Sequence, residues 1–345
     1  MKDGEFLLKF SIIIPAYNPG EELYRLLDQL LQIAKVTNTE IIVADDGSTN
    51  LDADKAKKYE DQGICFQYLA HGGVSTVRNC GIEISCGDYC IFFDSDDMVN
   101  VDSLLNVMKN IESFTDRPDI YMCGYSKVSE KESQDVLPSL TTGMYGKEVL
   151  SQLERSLVDV GFAKKYPASY FDGKVFHYFV RRSLFEKGLN FPDGQAYAED
   201  LCYCMKMFDM AESIYISHDV IYRYYLQEGS ASHRYRPYFW EEWNMVHKYI
   251  SSYIHEDVWQ NRYLYWCAKI CIRHILKYEN DLDKLKLKIA EILETEALQN
   301  AILCLNFSDW TIKERIENKL IKERNANALI RFELFVNRIK TIVGK

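Results

Sequence analysis

Apolar and polar positions alternate in blocks through the first hundred residues. Continuous apolar runs of strand length occupy residues 10–14, 40–44, 64–69 and 89–93, and helical spacing governs 21–34, 52–60 and 74–84 between them. Such alternation predicts βαβ units and a mostly parallel sheet flanked by helices. The run Tyr89-Cys90-Ile91-Phe92-Phe93 is apolar at every position, the pattern of a central strand covered on both faces. A helix over 102–114 and a strand over 119–125 follow, after which 126–145 is polar and poorly periodic, predicting a loop or edge hairpin. Further helices are expected at 147–157, 182–187 and 198–211, and strand character at 214–217 and 220–226. From Pro237 onward only helical stripes remain, over 238–254, 258–278, 282–293, 310–320 and 329–343. The chain therefore divides into an α/β domain over 1–235 and an all-helical region over 236–345.

Composition narrows the class. A chain of 345 residues that is 47% apolar and 13% aromatic has ample material for a packed core. Its net charge of −10 argues against general nucleic-acid binding. Ten scattered cysteines without a CxxC pair read as reduced core thiols of a cytoplasmic protein. Cys267, Cys271 and His274 share a helical face, which reads as core and not as a zinc site. The first apolar run stops at Pro15, too short for a signal peptide, and no stretch reaches bilayer length. Residues 319–345 hold seven Lys/Arg against two Glu, a net of +5, with Leu329, Phe332, Val336, Ile339 and Val343 at helical spacing. That tail suits either packing on the preceding helices or peripheral contact with the inner face of an anionic membrane.

The chemistry gathers where strands end. Pro15-Ala16-Tyr17-Asn18 follows the first strand, Asp45-Asp46-Gly47-Ser48 the second, and Asp94-Ser95-Asp96-Asp97 the fourth, so three polar clusters meet at one sheet edge. Three carboxylates in four residues repel one another unless a cation offsets them, and Mg²⁺ or Mn²⁺ favours oxygen ligands. In an extended segment, Asp94 and Asp96 face one side and Asp97 the other. A solvated acidic turn is the plainer alternative. Glu199-Asp200 opens a helix, where the dipole already favours acids. The rings of Phe162, Tyr166, Tyr170, Phe171, Phe176, Tyr178 and Phe179 suit sugar faces as well as ordinary packing.

Taken in order, SIIIPAYNPGEELYRLLDQLL, EIIVADDGSTN, GGVSTVRNCGIEISCGDYCIFFDSDD, AEDLCYCMKMF and YRYYLQEGSAS resemble the family 2 glycosyltransferases of the GT-A fold, over roughly residues 9 to 233. The resemblance implies a nucleotide-sugar-binding half over 1–99, an acceptor-side half over 100–235, and inverting transfer from a nucleotide sugar, with UDP the expected carrier. It implies that Pro15, Tyr17 and Asp46 hold the nucleobase, that Arg78 lies near the diphosphate or base, and that Asn79 and Gly81 shape the helix beside it. Asp94-Ser95-Asp96 matches the DxD motif, with Asp94 and Asp96 as metal ligands and Asp97 an alternative to Asp94. Asp200 matches the catalytic base, and the acceptor would be a carbohydrate or lipid-linked hydroxyl of a growing polysaccharide or glycolipid. His233 and Arg223 are further phosphate-side candidates. The sequence departs from many bacterial members at Phe176-His177-Tyr178, where they carry Trp-Asn-Lys before the paired arginines. A nucleotidyltransferase would carry a Gly-rich basic loop after the first strand, which Pro15-Ala16-Tyr17-Asn18-Pro19-Gly20 lacks. A non-catalytic metal- or nucleotide-binding module would leave Glu199-Asp200 without a purpose.

Overall fold

The computed structural model describes residues 7–159, 173–195, 197–226, 235–254, 256–305 and 311–343. Strand β1 (Phe10–Ala16) is buried at every position, as its unbroken apolar run requires. Helix α1 (Glu21–Ala34) buries Leu23, Leu26, Leu27 and Leu30 on one face. Then come β2 (Thr39–Asp45), α2 (Ala53–Glu60), β3 (Cys65–Tyr68), α3 (Val74–Ile84) and β4 (Tyr89–Phe92). Asp52 caps α2 by accepting from the Lys55 amide. These four strands form a parallel half-sheet in the order β3-β2-β1-β4.

Glycine permits close contacts within this half, as at Gly87 against Ser11 and at Gly81. A Cβ on Gly81 of α3 would lie 2.4 Å from Ile13 Cγ2, so its absence lets the helix settle onto β1.

The second half comprises β5 (Met98–Val99), α4 (Val101–Ser113), β6 (Ile120–Val128), β7 (Ser133–Val136), β8 (Gly143–Gly146), α5 (Lys147–Val158), β9 (Tyr178–Arg181), α6 (Arg182–Glu186), α7 (Glu199–Met210) and β10 (Ser213–Tyr225). The sheet continues β4-β9-β6-β10-β5. Strand β9 runs antiparallel to both β4 and β6, whereas β6 and β10 are parallel. Part of the expected loop at 126–145 is a hairpin, with β7 folding back on β6, and β8 pairs with β10. The two expected strand runs near 214–226 are one strand whose register is irregular between Ile216 and Tyr222. Phe176, His177 and Tyr178 are buried, with Phe176 stacked 4.2 Å from Tyr222.

The chain forms two compact units, Met1–Ser230 and Ala231–Lys345. The second contains α8 (Phe239–Ser251), α9 (Asp257–Tyr278), α10 (Leu282–Glu294), α11 (Glu296–Cys304), α12 (Ile312–Lys322) and α13 (Ala326–Val343). Helix α11, absent from the sequence reading, buries Leu298, Ala301 and Ile302. Cys267 and Cys271 are buried on α9, and His274 Nε2 accepts the Arg236 amide. Among the described residues, no helix is long and apolar enough to cross a membrane. Phe162, Tyr166, Tyr170, Phe171 and His233 lie outside the described residues.

Candidate active site

Parallel pairing of β1, β2 and β4 delivers their carboxyl ends to one edge, and the loops that follow interlock there. Pro15 lies within β1 opposite Ala44. Tyr17 is 52% exposed, its ring 4.6 Å from that of His71. Asn18, at a φ of +47°, accepts the Thr49 amide and donates its own to Ser48 Oγ, pinning the loop after β1 to the loop after β2. Asp45 is buried and caps the Ser48 amide. The Asp46 carboxylate accepts the amides of Gly72 at 2.7 Å and Gly73 at 3.1 Å and lies 2.9 Å from His71 Nδ1. It therefore organises the approach to α3 while remaining beside Tyr17 through His71. His71 escaped the sequence reading; the only signal was its place ahead of two glycines and a helix.

Arg78 is the hub of the edge. It is 3% exposed, and its guanidinium meets Asp94 Oδ1 at 3.1 Å, Asp200 Oδ1 at 2.5 Å and Glu199 Oε1 at 3.3 Å, with Phe191 5.0 Å away beneath it. The side chain expected near the diphosphate is thus engaged by three carboxylates, from the end of β4 and the start of α7. Burial works against the guanidinium charge, but Asp200, Asp94 and Glu199 outweigh it and hold the proton more firmly. Burial pushes the Asp200 carboxyl upward, with Arg78 opposing and Glu199 and Asp94 adding to the rise. Ala198, immediately before this acidic pair, has a left-handed φ of +55°, a strained position for a residue with a Cβ. Asn79 fixes α3 to the segment before α7, accepting the Phe191 amide at 2.8 Å and donating to its carbonyl at 3.0 Å.

The acidic run after β4 separates into unlike parts. Asp97 is 1% exposed; the Tyr222 hydroxyl and the Tyr225 amide each donate to it at 2.7 Å. Burial, reinforced by the charge of Asp94, pushes its carboxyl up to about 8. Tyr222 Oη in turn accepts the Asp94 amide at 3.0 Å, a role invisible in the sequence. Asp97 is therefore tied into β10, which disfavours it as the alternative metal ligand. Asp96 is exposed and takes no ion pair among the described residues; Ser95 is half-buried between the two acids. Asp94 and Asp96 fit a hard divalent cation by their donor chemistry. Among the described residues no cluster of three or more acidic, His or Cys side chains forms a complete metal cage, so a bound ion would draw further ligands from substrate oxygens. Arg223 is exposed on β10 opposite Met98, and Arg182 is structural, donating to Gly87 O and Ser85 Oγ.

Comparison with known proteins identifies the family and the fold. The sequence profile described as glycosyl transferase family 2 matches residues 11–190. An uncharacterized glycosyltransferase, EpsJ of Bacillus subtilis, is 29% identical over 219 residues, 62% of this chain and 60% of that protein. A poly(ribitol-phosphate) beta-glucosyltransferase of Bacillus spizizenii is 28% identical over 238 residues, 66% of this chain and 33% of that protein. The chain thus spans 60% and 33% of the lengths of these two relatives. A crystal structure of S. aureus TarS in complex with UDP-GlcNAc superposes with a TM-score of 0.67 at 18% identity, covering 96% of this chain and 92% of that one. The shared architecture is the GT-A fold, a mixed sheet flanked by helices with a helical C-terminal region.

Proposed function

Because the chain belongs to glycosyl transferase family 2, we propose that it is an inverting transferase moving a sugar from a nucleotide diphosphate sugar, with UDP as carrier, to an acceptor hydroxyl. The observation that carries this reading is the convergence of Asp94 and Asp200 on Arg78, which brings the DxD segment and the candidate base within one ion cluster. Tyr17 offers an exposed ring for stacking on the nucleobase, and Pro15 and Asp46 stand beside it. Arg78 and Ser95 lie on the diphosphate side. Asp94 and Asp96 would hold Mn²⁺ or Mg²⁺, which when bound offsets negative charge on the departing diphosphate. Asp200 accepts the proton of the attacking hydroxyl, and a single base is what direct displacement with inversion needs. The acceptor in this reading is a carbohydrate or lipid-linked hydroxyl of a polysaccharide or glycolipid.

The test is ligand-dependent melting. UDP with Mn²⁺ should raise the melting temperature, ATP with Mg²⁺ should not, and Asp96→Ala should abolish the rise without lowering the unliganded melting point. Stabilisation by ATP instead, or an undiminished UDP response in Asp96→Ala, would overturn the assignment of donor or of metal site respectively.

A further inference from the structure

The C-terminal unit carries a surface to which none of the candidate site residues belongs. Along residues 326–338 of α13 the single acid is Glu333; it is 2% exposed and lies 3.7 Å from Arg273 Nε of α9. Glu317 of α12 is also 2% exposed, 2.8 Å from both Lys269 Nζ and Arg273 Nη2. These two acids are turned inside the unit; on the exposed side, Glu323 at the end of α12 lies 3.8 Å from Lys319.

What remains outside is regular. Arg331, Leu334, Phe335 and Arg338 occupy i, i+3, i+4 and i+7 and share one face of α13, all of them exposed. Phe335 is 62% and Leu334 50% exposed. Arg331 and Arg338 make no ion pair among the described residues. Helix α12 repeats the arrangement with Ile312, Arg315, Ile316 and Lys319, again all exposed, Ile312 at 78%. One exposed leucine is ordinary on a protein surface. Two successive helices whose solvent faces interleave large apolar side chains with cations, on a chain of net charge −10, are not accounted for by packing or by solubility.

We propose that the outer faces of α12 and α13 form an interfacial binding surface for anionic phospholipid. Guanidinium and ammonium groups meet headgroup phosphates there, while Phe335, Leu334 and the two isoleucines enter the acyl boundary. An acidic protein partner would satisfy the cations but leave the apolar side chains to a matching cleft. A second copy of this chain would place like charges together. A lipid surface takes both sets at once, and the cations alone make the contact dependent on headgroup charge.

The full chain should float with vesicles containing phosphatidylglycerol and not with phosphatidylcholine alone, and the binding should weaken as salt is raised. Arg331→Glu with Arg338→Glu, and separately Leu334→Ser with Phe335→Ser, should each weaken flotation by at least about tenfold, since each surface cation contributes about fivefold and burial of a Leu or Phe side chain at least as much. Both pairs are exposed, so melting temperature stays that of the parent, and Arg331→Gln with Arg338→Gln replaces the reversal variant if that one misfolds. The proposal is overturned if the parent does not float, if it binds both vesicle types alike, or if the variants float like the parent. Dissociation of a parent dimer by Leu334→Ser with Phe335→Ser would equally overturn it, by showing that a second copy covers the face. None of these outcomes depends on donor binding.

Discussion

Asp200→Asn separates chemistry from architecture. The substitution keeps shape and removes one negative charge from a cluster in which Arg78 also faces Asp94 and Glu199. The guanidinium is therefore not stranded, and the amide oxygen can still accept from Nη1. What is lost is the charged part of one hydrogen bond, about 1.5–3 kcal/mol gross. Relief of burying that carboxylate offsets much of it, so the net stability change stays within about 1–2 kcal/mol. The proton acceptor, by contrast, is gone. A general base contributes on the order of 10²- to 10⁴-fold, so kcat should fall by that factor while UDP affinity, proposed to rest on Tyr17 and Asp46, is retained. The parent's pH profile supplies a second reading. Only ionised Asp200 accepts a proton, and burial raises its carboxyl, so activity should be lost on acidification well above the ordinary carboxylate range near 4. Donor affinity, transfer rate and melting temperature measured on this variant decide the matter. A helix-dipole acid predicts near-normal turnover and a stability loss of at most about 1 kcal/mol, and that result would refute the catalytic role.

Arg78→Met should cost roughly 3–5 kcal/mol in urea unfolding, because it leaves three neighbouring carboxylates without their buried partner. Arg78→Lys should recover only part of this, since an ammonium lacks the fork that spans several acids; parental stability in either variant would show that the cluster does not hold α3 to α7. Gly81→Ala sets helix propensity, a gain of up to about 1 kcal/mol, against a Cβ driven into Ile13, a residue with no solvent exposure. Overpacking of this kind costs about 1–3 kcal/mol, so a net fall in melting temperature is expected, and a rise would mean that the helix stands further off β1.

The parallel half of the sheet was legible because short, mostly apolar strand runs alternate there with helical segments. The boundaries of α1 and α3 fall where periodicity placed them. Pairing direction was not legible in the second half. Strand β9 offers four residues with no turn signal that would mark it as antiparallel to both neighbours, and α11 is short enough that its stripe merges with the helix before it. Asp94, Asp96 and Asp200 were singled out by motif. Their meeting was not, because Arg78 is 16 residues from Asp94 and 122 from Asp200, and nothing local in the chain announces a contact at that separation. His71 and Tyr222 were missed for the same reason: each acts through a partner on another element.

The adjacent acids Asp96 and Asp97 show how burial divides chemically identical side chains. A turn over Ser95 and Asp96, in which the Asp97 amide donates to the Asp94 carbonyl at 3.3 Å, separates them. One reaches solvent. The other accepts hydrogen bonds from Tyr222 and Tyr225, and burial pushes its carboxyl up to about 8. Three aspartates in four letters thus do not present three equivalent charges. Arg78 offsets part of the repulsion at the end of β4 through its ion pair with Asp94. Asp94, Asp96, Glu199 and Asp200 together still outnumber the single guanidinium. Burial first, and then the charges of Glu199 and Asp94, raise the Asp200 carboxyl against the pull of Arg78, and the proposed role as base draws on that balance.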